Sequence, residues 1–581
     1  MDHVATAQGP SRPAEPLWQR VWLDNYPCDV PSSIPYPCIP VSTLMEMAVR
    51  RYPDRPACSI YGRGMKYSKM LRQSQRLART LSALGAGRGR RVAMLLPNIP
   101  EYIVALQATW LTGATVLQLS PLMVAEEIRK WLEATDCHIV VTLDLLAPAV
   151  LGRLERGPLE HVIIASLARR VGPWRGFLYR IERLRRNGPF SLRENGHVHS
   201  FDHCLCRGTD TMQPNVNPEE DIAVMTPTGG TTASPKAVML THKNLVANAF
   251  QLGAWSREED GQGSILGVLP FFHAYGLTVG LLTGLAKGAT IHLHPRFEVR
   301  AVLDIMQRYR TELVPAVPAL LTAFNRELRK QPRDFSFIRL VVSGASTLDE
   351  KVKEEFGSYG PQHVVEGYGL SEASPVTHVN PIDGRIRHGS VGLPLPDTEA
   401  RIMDEATGTK EMPDGTIGEL VVRGPQIMKG YYNNRAETAR ALRSGWLYTG
   451  DLAKRDSEGF FFIVDRKKDI IKTNGFLVFP AEVEEVLSTF PNVAEAAVIG
   501  VPDAERGEIV KALVVAKEGH KINLSALEAH CLKHLGKHKR PRQIECVREL
   551  PKNFLGKIQR RKLRENGEAP GKTPVNGNGK A

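Results

Sequence analysis

The stretch from Thr226 to His242 constrains the fold and chemistry of this chain more than any other. It reads TPTGGTTASPKAVMLTH, a loop of small and hydroxyl-bearing residues with one lysine, Lys236, between apolar runs at Ile222–Met225 and Val238–Leu240. Glycines let a backbone approach an anion closely, and hydroxyl and ammonium groups donate to it. The stretch therefore predicts a polyphosphate-binding loop. A Gly/Thr hairpin without a ligand is the alternative.

The loop differs from a Walker A loop. That motif ends in Gly-Lys-Ser/Thr and opens a helix, whereas here the order is Pro235-Lys236-Ala237 and an apolar, strand-like run follows. The candidate phosphate-binding residues are Thr228, Gly229, Gly230, Thr231, Thr232 and Lys236.

The overall charge of the chain narrows the classes of partner. The 581 residues carry a formal net charge of +13, with a sequence pI near 9.3. A basic balance suits nucleotides, coenzyme A, anionic lipid or nucleic acid. The chain has no zinc-ligand spacing, no RNA-binding aromatic motif and no basic tail of the nucleic-acid-binding type, so we expect no nucleic acid partner.

Cysteine spacing and hydropathy indicate the compartment. The eight cysteines are scattered, which is typical of reduced thiols in an intracellular protein. The first 16 residues lack the basic-then-apolar pattern of a signal peptide, and no window of about 18 residues is uninterruptedly apolar. The sequence predicts a cytoplasmic protein without a membrane span, and it leaves the oligomeric state open.

Alternating apolar runs and helical patterns predict the architecture. Short apolar runs separated by helical segments recur on both sides of the phosphate loop, from Val92–Leu96 to Val364–Glu366. Such runs are typical of parallel sheets covered on both faces. Glycine and proline turns between short strands in residues 384–464 predict a small β-subdomain, and the mixed pattern beyond Asp465 predicts a compact α+β module.

The predicted fold class is therefore α/β. A large N-terminal domain, residues 1–464, contains two doubly wound α/β subdomains and the small β-subdomain. A small α+β C-terminal domain spans residues 465–565. Residues 566–581 are rich in Gly, Pro, Asn and Lys, which predicts a disordered tail.

The segment Arg169–Arg193 has an unusual composition. It holds eight arginines and one acidic residue, Glu182. Large apolar residues recur at helical spacing, and they are Trp174, Phe177, Leu178, Ile181 and Leu184. The pattern indicates either a helix that lies on an anionic membrane surface or a surface helix whose apolar face packs on the domain.

A second motif, EGYGLSE at Glu366–Glu372, follows a predicted strand. Ligands of α/β sheets bind at the carboxyl ends of the strands. Tyr368 offers a ring for stacking on a purine, and Glu372 offers a hard oxygen ligand for a Mg²⁺ that bridges phosphates. Taken alone, the motif is also compatible with an ordinary turn.

These stretches, in this order, resemble the acyl-adenylate-forming enzymes: acyl-CoA synthetases, luciferases and the adenylation domains of peptide synthetases. The phosphate loop is similar to the family pattern Thr-(Ser/Gly)-Gly-Thr-Thr-Gly-x-Pro-Lys-Gly, with Ala233 and Ala237 at two expected glycines. The second motif is similar to Tyr-Gly-x-Thr-Glu, with Ser371 in place of threonine. The resemblance covers nearly the whole chain, from Trp18 to Arg564.

The resemblance implies a set of residues that bind ATP. Gly344 and Ala345 match the segment that contacts adenine, and Asp451, in WLYTGD, matches the aspartate that holds the ribose hydroxyls. The implied ATP-binding residues beyond the phosphate loop are Gly344, Ala345, Tyr368, Ser371, Asp451 and Arg466. Lys557 matches the catalytic lysine of the family, and Glu372 matches the residue that binds Mg²⁺ and shares in catalysis.

The resemblance also implies a mobile C-terminal lid. Lys468 matches the pivot between the domains, and Gly475 with Lys472 matches a loop lining a coenzyme A tunnel. His273, with Gly367, matches the acyl pocket. A lone histidine in an apolar run is also compatible with a purely structural role.

The function implied is that of a fatty-acyl-CoA synthetase. Such an enzyme uses Mg·ATP to convert a fatty acid to acyl-AMP and then transfers the acyl group to coenzyme A. An aryl, 4-coumarate-type CoA ligase is one alternative. A membrane-docked, poorly active nucleotide-binding scaffold is another, which Ala233 and Ala237 favour. The sequence does not identify the acid or its chain length.

Overall fold

Parallel strands and covering helices build the first part of the fold. The structure is a computed structural model and describes residues 20–152, 157–187, 194–206, 211–228, 236–257, 260–473, 476–503, 506–553 and 556–567. The first elements are α1 Thr43–Arg51, β1 Pro56–Ile60, β2 Arg63–Lys66, α2 Tyr67–Ala83, β3 Arg91–Leu95, α3 Pro100–Leu111, β4 Thr115–Gln118, α4 Ala125–Ala134, β5 Ile139–Leu143, α5 Pro148–Leu151, β6 His161–Ala165, α6 Pro173–Asn187, β7 Val198–Ser200, α7 Phe201–Cys204, β8 Ile222–Thr228, β9 Lys236–Thr241 and α8 His242–Ser256.

A second run of alternating strands and helices follows. A buried π-helix, Gly276–Leu282, leads into α9. The elements are β10 Ser264–Gly267, α9 Thr283–Lys287, β11 Thr290–Leu293, α10 Val299–Tyr309, β12 Leu313–Ala316, α11 Pro318–Leu328, β13 Leu340–Ser343, α12 Glu350–Gly357, β14 His363–Gly369, β15 Val376–Val379 and β16 Leu393–Pro394.

Short strands and a compact C-terminal module complete the described chain. The elements are β17 Glu399–Met403, β18 Gly418–Arg423, β19 Gly430–Tyr431, α13 Arg435–Ala441, β20 Leu442–Arg443, β21 Trp446–Arg455, β22 Phe461–Arg466, β23 Ile471–Thr473, β24 Phe476–Val478, α14 Pro480–Ser488, β25 Val493–Asp503, β26 Gly507–Ala516, α15 Leu524–His534, β27 Gln543–Val547 and α16 Arg560–Gly567.

These strands form two large sheets and two small ones. The large sheets have the orders β19-β9-β8-β4-β3-β5-β6-β7 and β16-β15-β14-β13-β12-β10-β11-β1-β2. The small sheets are β17-β18-β21-β20, with β22 paired to β21, and β24-β23-β26-β25, with β27 paired to β26. The predicted α/β class, with a large N-terminal part and a small C-terminal one, is confirmed.

Register brings the ends of three central strands together. Ala316 of β12 pairs with Ser343 of β13, and Ser343 pairs with Glu366 of β14, all in parallel. Strands β12 and β13 are buried on both faces, which explains their apolar sequence. Because parallel strands end at the same edge, the segments after β13 and β14 lie side by side, where sheets of this kind bind ligands.

The hydrophobic cores divide near the predicted domain boundary. The largest core cluster joins both large sheets and includes residues from Trp22 to Phe461. The clusters of the C-terminal module begin at Ile471. The boundary between residues 464 and 465 stays our proposal. Among the described residues, no helix combines the length and the apolar character that crossing a bilayer requires.

Two glycines with positive φ separate backbone strain from steric collision. A Cβ at Gly392, φ +93°, would collide with the backbone at Val379 and Asn380, whereas a Cβ at Gly384, φ +102°, meets nothing within 4 Å. We expect Gly384→Ala to lower the free energy of unfolding by about 1–2 kcal/mol. Because of the added collision, Gly392→Ala should lower the free energy of unfolding by roughly 1–3 kcal/mol more than Gly384→Ala does. Denaturant unfolding of both variants tests this, and equal losses would contradict it.

Candidate active site

The loop that follows β13 carries Gly344 and Ala345. Because Ser343 pairs with Glu366, this loop lies beside the end of β14, which carries Gly367 and Tyr368. The Oη of Tyr275 donates to Val342 O at 2.7 Å. A Cβ at Gly344 would lie 3.3 Å from the Tyr275 ring, so a side chain there would require the loop or the ring to shift slightly.

The same loop is held in a strained conformation. Ala345 has φ +74°, a left-handed conformation that costs about 1–3 kcal/mol for a residue other than glycine. The backbone N–H of Leu348 donates to Glu366 Oε1 at 2.6 Å. Burial raises the pKa of the Glu366 carboxyl to about 7. This half-buried carboxyl thus holds Leu348, and with it the end of the loop, at the sheet edge.

Tyr368, Asp451 and Arg466 form a connected polar cluster. The Oη of Tyr368 donates to Asp451 Oδ2 at 2.6 Å, and Arg466 Nε lies 3.4 Å from Asp451 Oδ1. Asp451 and Arg466 are cross-strand partners on β21 and β22. Burial and the Asp451 carboxylate raise the pKa of the Tyr368 phenol, so the ring stays neutral. The structure thus unites three of the predicted residues around one carboxylate.

Lys236 begins β9 and is paired with a residue of α13. Its Nζ donates to Glu437 Oε2 and lies 5.5 Å from the centroid of the Tyr431 ring. Thr228 Oγ1 donates to Lys236 O at 3.2 Å. The hydrogen bond from Lys236 is the main cause of the lowered pKa of the Glu437 carboxyl.

Glu372 lies in a short 3₁₀-helix, Ser371–Ala373, after β14. Tyr431 Oη donates to Glu372 Oε1 at 2.8 Å. Among the described residues, no cation forms an ion pair with this carboxylate. Tyr431 therefore contacts both predicted phosphate-site groups, Lys236 through its ring and Glu372 through its hydroxyl.

Part of the predicted phosphate loop lies outside the described residues. The predictions that fall there are Gly229, Gly230, Thr231 and Thr232, and the departure at Ala233 falls there as well. Gly475 of the predicted coenzyme A tunnel is also outside them. Lys472 is exposed on β23, and its backbone N–H donates to Glu508 Oε2 at 2.8 Å.

Lys557 lies in a tight loop of the C-terminal module. Its N–H donates to Asn553 Oδ1, and Asn553 N donates to Lys557 O, both at 2.9 Å. Gly556 has φ +78°, and a Cβ there would lie 2.8 Å from the Ala319 Cβ on α11. The glycine therefore permits a close approach of the C-terminal loop to the N-terminal domain.

The environment of Lys557 is rich in charge. Burial, followed by repulsion from Arg466, lowers the pKa of the ammonium to about 8, while Asp451 opposes the shift. Lys468, in the 3₁₀-helix Lys467–Asp469, also acts on Lys557, and its own pKa is lowered by burial and by Arg466. The predicted residues Lys557, Arg466, Asp451 and Lys468 are thus neighbours across the domain junction.

His273 and Gly367 are the predicted acyl-pocket residues. Burial, with Lys557 as a smaller cause, lowers the pKa of His273 to about 4. Its Nδ1 accepts from the backbone N–H of Tyr275 at 3.3 Å. A Cβ at Gly367 would lie 3.4 Å from a methyl group of Val379 and 3.5 Å from one of Val342. Gly367 therefore leaves little room for a side chain.

Sequence reasoning missed Tyr431, Glu437 and Asn553. The first two bind Glu372 and Lys236 from a segment far along the chain, and Asn553 shapes the Lys557 loop. A partial signal existed for Glu437, because Asn434 caps α13 through the Glu437 N–H. That signal predicts the start of a helix, and it contains nothing that predicts the pairing with Lys236.

The lowered pKa of Lys557 predicts a pH-dependent stability. Between pH 8 and the unfolded value of 10.5, the unfolded chain binds one more proton at Lys557 than the folded chain does, so wild-type stability rises with pH there. Lys557→Met removes this charge. The free energy of unfolding of the variant minus that of wild type should therefore fall by up to ~2 kcal/mol between about pH 8 and pH 9.5. Denaturant unfolding measures it, and a constant difference would contradict the burial of a charged amine.

Known proteins with the same architecture extend these observations. The family model described as AMP-binding enzyme matches residues 45–432, and the AMP-binding enzyme C-terminal domain matches residues 482–557. The chain is 38% identical over 550 residues to a long-chain-fatty-acid–CoA ligase of Bacillus subtilis (strain 168), covering 94% of this chain and 98% of that protein. It is 30% identical over 519 residues to 4-coumarate–CoA ligase 4 of Arabidopsis thaliana, covering 87% and 86%.

A solved structure agrees over nearly the same length. The crystal structure of ATP-bound MatB from Rhodopseudomonas palustris superimposes with a TM-score of 0.79 at 28% identity, covering 91% of this chain and 99% of that one. Both family models match in the expected order, and the match to the first covers well over half of the chain. The chain therefore belongs to the AMP-binding enzyme family.

Proposed function

We propose that this enzyme is a long-chain fatty acid–CoA ligase. In a first half-reaction the carboxylate attacks the α-phosphate of ATP, giving acyl-AMP and pyrophosphate. In a second, the thiol of coenzyme A attacks the acyl carbon and releases AMP. The observation that carries the proposal is the position of Lys557, near the C-terminus, beside Asp451 of the N-terminal part and Arg466 at the junction. The 38% identity to a long-chain-fatty-acid–CoA ligase supports the choice of acid.

On this proposal, the cluster around Asp451 binds the nucleoside. Asp451 accepts from both ribose hydroxyls, which a carboxylate with two oxygens can do, and Arg466 orients it. The neutral Tyr368 ring stacks on the purine, and the loop at Gly344 and Ala345 contacts its edge. The strained, fixed conformation of that loop supports the role, because strain of this kind concentrates at binding sites.

The phosphates lie toward Lys236 and Glu372. Thr228, Gly229, Gly230, Thr231, Thr232 and Ser371 supply the remaining donors. Glu372 would hold the Mg²⁺ of Mg·ATP, since its carboxylate accepts one hydrogen bond and keeps lone pairs for a hard cation. Bound there, the ion neutralises charge on the phosphate oxygens.

Lys557 provides positive charge where the phosphoryl group gains negative charge. With a pKa of about 8, most of the side chain is protonated at pH 7. His273, with a pKa of about 4, is neutral at that pH and cannot act as a cationic acid. We therefore assign His273, with Gly367, to the lining of the acyl end of the cleft.

In the second half-reaction, a different loop of the C-terminal domain lies against the cleft. Lys468 is the proposed pivot about which the C-terminal domain turns, and Gly475 with Lys472 then lines the path of coenzyme A. The lowered pKa of Lys557 supports this exchange, because a desolvated ammonium among other cations gains hydration when it leaves.

Two alternatives are less well supported. An aryl-CoA ligase is favoured only by the 30% identity to the 4-coumarate–CoA ligase, against 38% to the fatty acid ligase. A poorly active scaffold is suggested only by Ala233 and Ala237. Pyrophosphate release with ATP and a panel of fatty and aryl acids separates all three: release with long-chain acids supports the proposal, and release with aryl acids alone, or none at all, overturns it.

The proposed setting is the cytoplasm, with peripheral contact to anionic membranes through residues 169–193. Long-chain fatty acids and their thioesters are amphiphiles that partition into lipid, so a surface contact brings the enzyme to its substrate. No nucleic acid partner is part of the proposal.

Replacing Lys557 should separate the two half-reactions. Lys557→Ala is expected to lower the rate of acyl-AMP formation about 10²–10³-fold, because a preorganised charge is lost. Thioesterification of supplied acyl-AMP should stay near the wild-type rate. Single-turnover assays of each half-reaction measure this, and equal losses in both would overturn the assigned role.

Glu437 competes with phosphate for the Lys236 ammonium. We expect Glu437→Gln to tighten Mg·ATP binding roughly 3–10-fold, because charge-assisted bonds to Lys236 then form with phosphate alone. Arg440→Gln is the matched control, since Arg440 contacts the other carboxylate oxygen of Glu437 at 2.6 Å and does not bind Lys236. Its dissociation constant should stay within about twofold of wild type. Weaker binding by Glu437→Gln would mean that Glu437 orients Lys236 instead.

A further inference from the structure

Helix α6 docks on the N-terminal domain through polar groups. Tyr179 Oη donates to Asp144 Oδ1, and Arg183 Nη1 lies 3.4 Å from Asp144 Oδ2. Asp144 is only 3% exposed. Gly176 is buried where a Cβ would collide with the carbonyl of Ala168. The residues at 176, 179 and 183 are three and four positions apart, so they define one face of the helix.

The apolar stripe of α6 lies on the opposite face and is exposed. At about 100° per residue, the stripe is centred roughly opposite the docking face. The exposed fractions are 70% for Trp174, 53% for Phe177, 47% for Leu178, 40% for Ile181 and 54% for Leu184. The alternative in which this stripe packs on the domain is therefore wrong.

The positive charges around the apolar stripe favour a partner with a negatively charged surface. Arg180 and Arg185 are exposed beside and within it, and the segment 169–193 holds eight arginines against one acidic residue. A twofold contact with a second copy would bring these arginines against one another. At an anionic membrane surface, each arginine instead pairs with a negatively charged group while the apolar side chains of the stripe are removed from water.

We propose that α6 is a docking helix for anionic phospholipid membranes. The stripe enters the boundary between headgroups and acyl chains, and the arginines contact phosphate groups, as in other interfacial helices. The inference extends the proposed function only by naming the surface from which a lipid-dissolved acid is taken. It rests on the geometry of α6 and does not depend on the chemistry of the active site.

Three variants test the proposal in the full-length protein. A stripe variant carries Trp174→Ser, Phe177→Ser and Leu184→Ser, and a charge variant carries Arg180→Gln and Arg185→Gln. Arg183 stays unchanged because it holds the helix. The control changes Leu122 and Leu532, which are 71% and 56% exposed elsewhere on the surface, to serine. All substituted side chains are exposed, so folding should be preserved.

Co-sedimentation with vesicles is the readout. Wild type and control should bind phosphatidylglycerol-containing vesicles at low salt, more weakly at high salt, and phosphatidylcholine vesicles weakly. The stripe and charge variants should each lose roughly tenfold or more in binding. Equal binding by all four proteins, or none by wild type, overturns the proposal. A change in oligomeric state of the stripe variant alone, seen by light scattering, would identify a self-interface instead.

Activity is measured in parallel to keep the two proposals apart. Pyrophosphate release with a water-soluble, shorter-chain acid should be the same in all four proteins, because none of the changes lies in the candidate active site. Loss of vesicle binding with intact release supports docking. Vesicle binding without pyrophosphate release from this acid or from any long-chain acid leaves docking standing and overturns the proposed function.

Discussion

The approach of the Lys557 loop to Arg466, Lys468 and Asp451 is the constraint on which the candidate site depends. Desolvation and the neighbouring Arg466 and Lys468 disfavour its charge, and Asp451 favours it. In the helix that follows the loop, Nη2 of Arg560 donates to both oxygens of Glu484 at 2.7 Å, and hydrogen bonds between charged groups are stronger than neutral ones. Asn553 and Gly556 then shape the loop itself. Hydrogen bonds thus hold the Lys557 loop in place, although the ammonium that it carries lies where its charge is disfavoured.

The opposing effects on the Lys557 charge also influence how favourable the docking of its loop is. A cation with a lowered pKa gains hydration free energy when it moves to water, so docking of the Lys557 loop is opposed by its own functional group. On the function proposed above, this effect lowers the free-energy cost of the second arrangement of the C-terminal module. A lysine buried with full compensation would hold the module in place.

The predicted phosphate-site groups also depend on contacts between distant parts of the chain. Lys236 and Glu372 carry opposite charges, and each contacts a side chain of the segment formed by β19 and α13. Strand β19 pairs with β9 directly after Lys236, which places Tyr431 between the two groups. The segment thus holds both charged groups and also supplies the carboxylate of Glu437, which pairs with Lys236.

Local sequence patterns predicted candidate site residues, and the α/β fold that carries them is confirmed. Phosphate loops and strand-end motifs need particular residues within a few positions of each other, which singled out Lys236, Tyr368 and Glu372 as candidates. Asp451 and Lys557 were assigned through the resemblance of longer motifs, and alternating apolar runs predicted the α/β sheets. The pairing of Lys236 with Glu437 joins residues 201 positions apart, and no local pattern encodes it. The left-handed φ of Ala345 likewise depends on contacts around the loop.

Helix α6 shows most plainly what the sequence alone could not predict. Its sequence determined a helix with an apolar stripe and many arginines, but periodicity is unchanged when a helix rotates about its axis. Only the tertiary structure decided which face meets the domain, because Gly176 permits close backbone contact and Tyr179 and Arg183 both reach the buried Asp144. Hydrogen bonds to a single buried carboxylate set that rotation and left the stripe exposed to solvent.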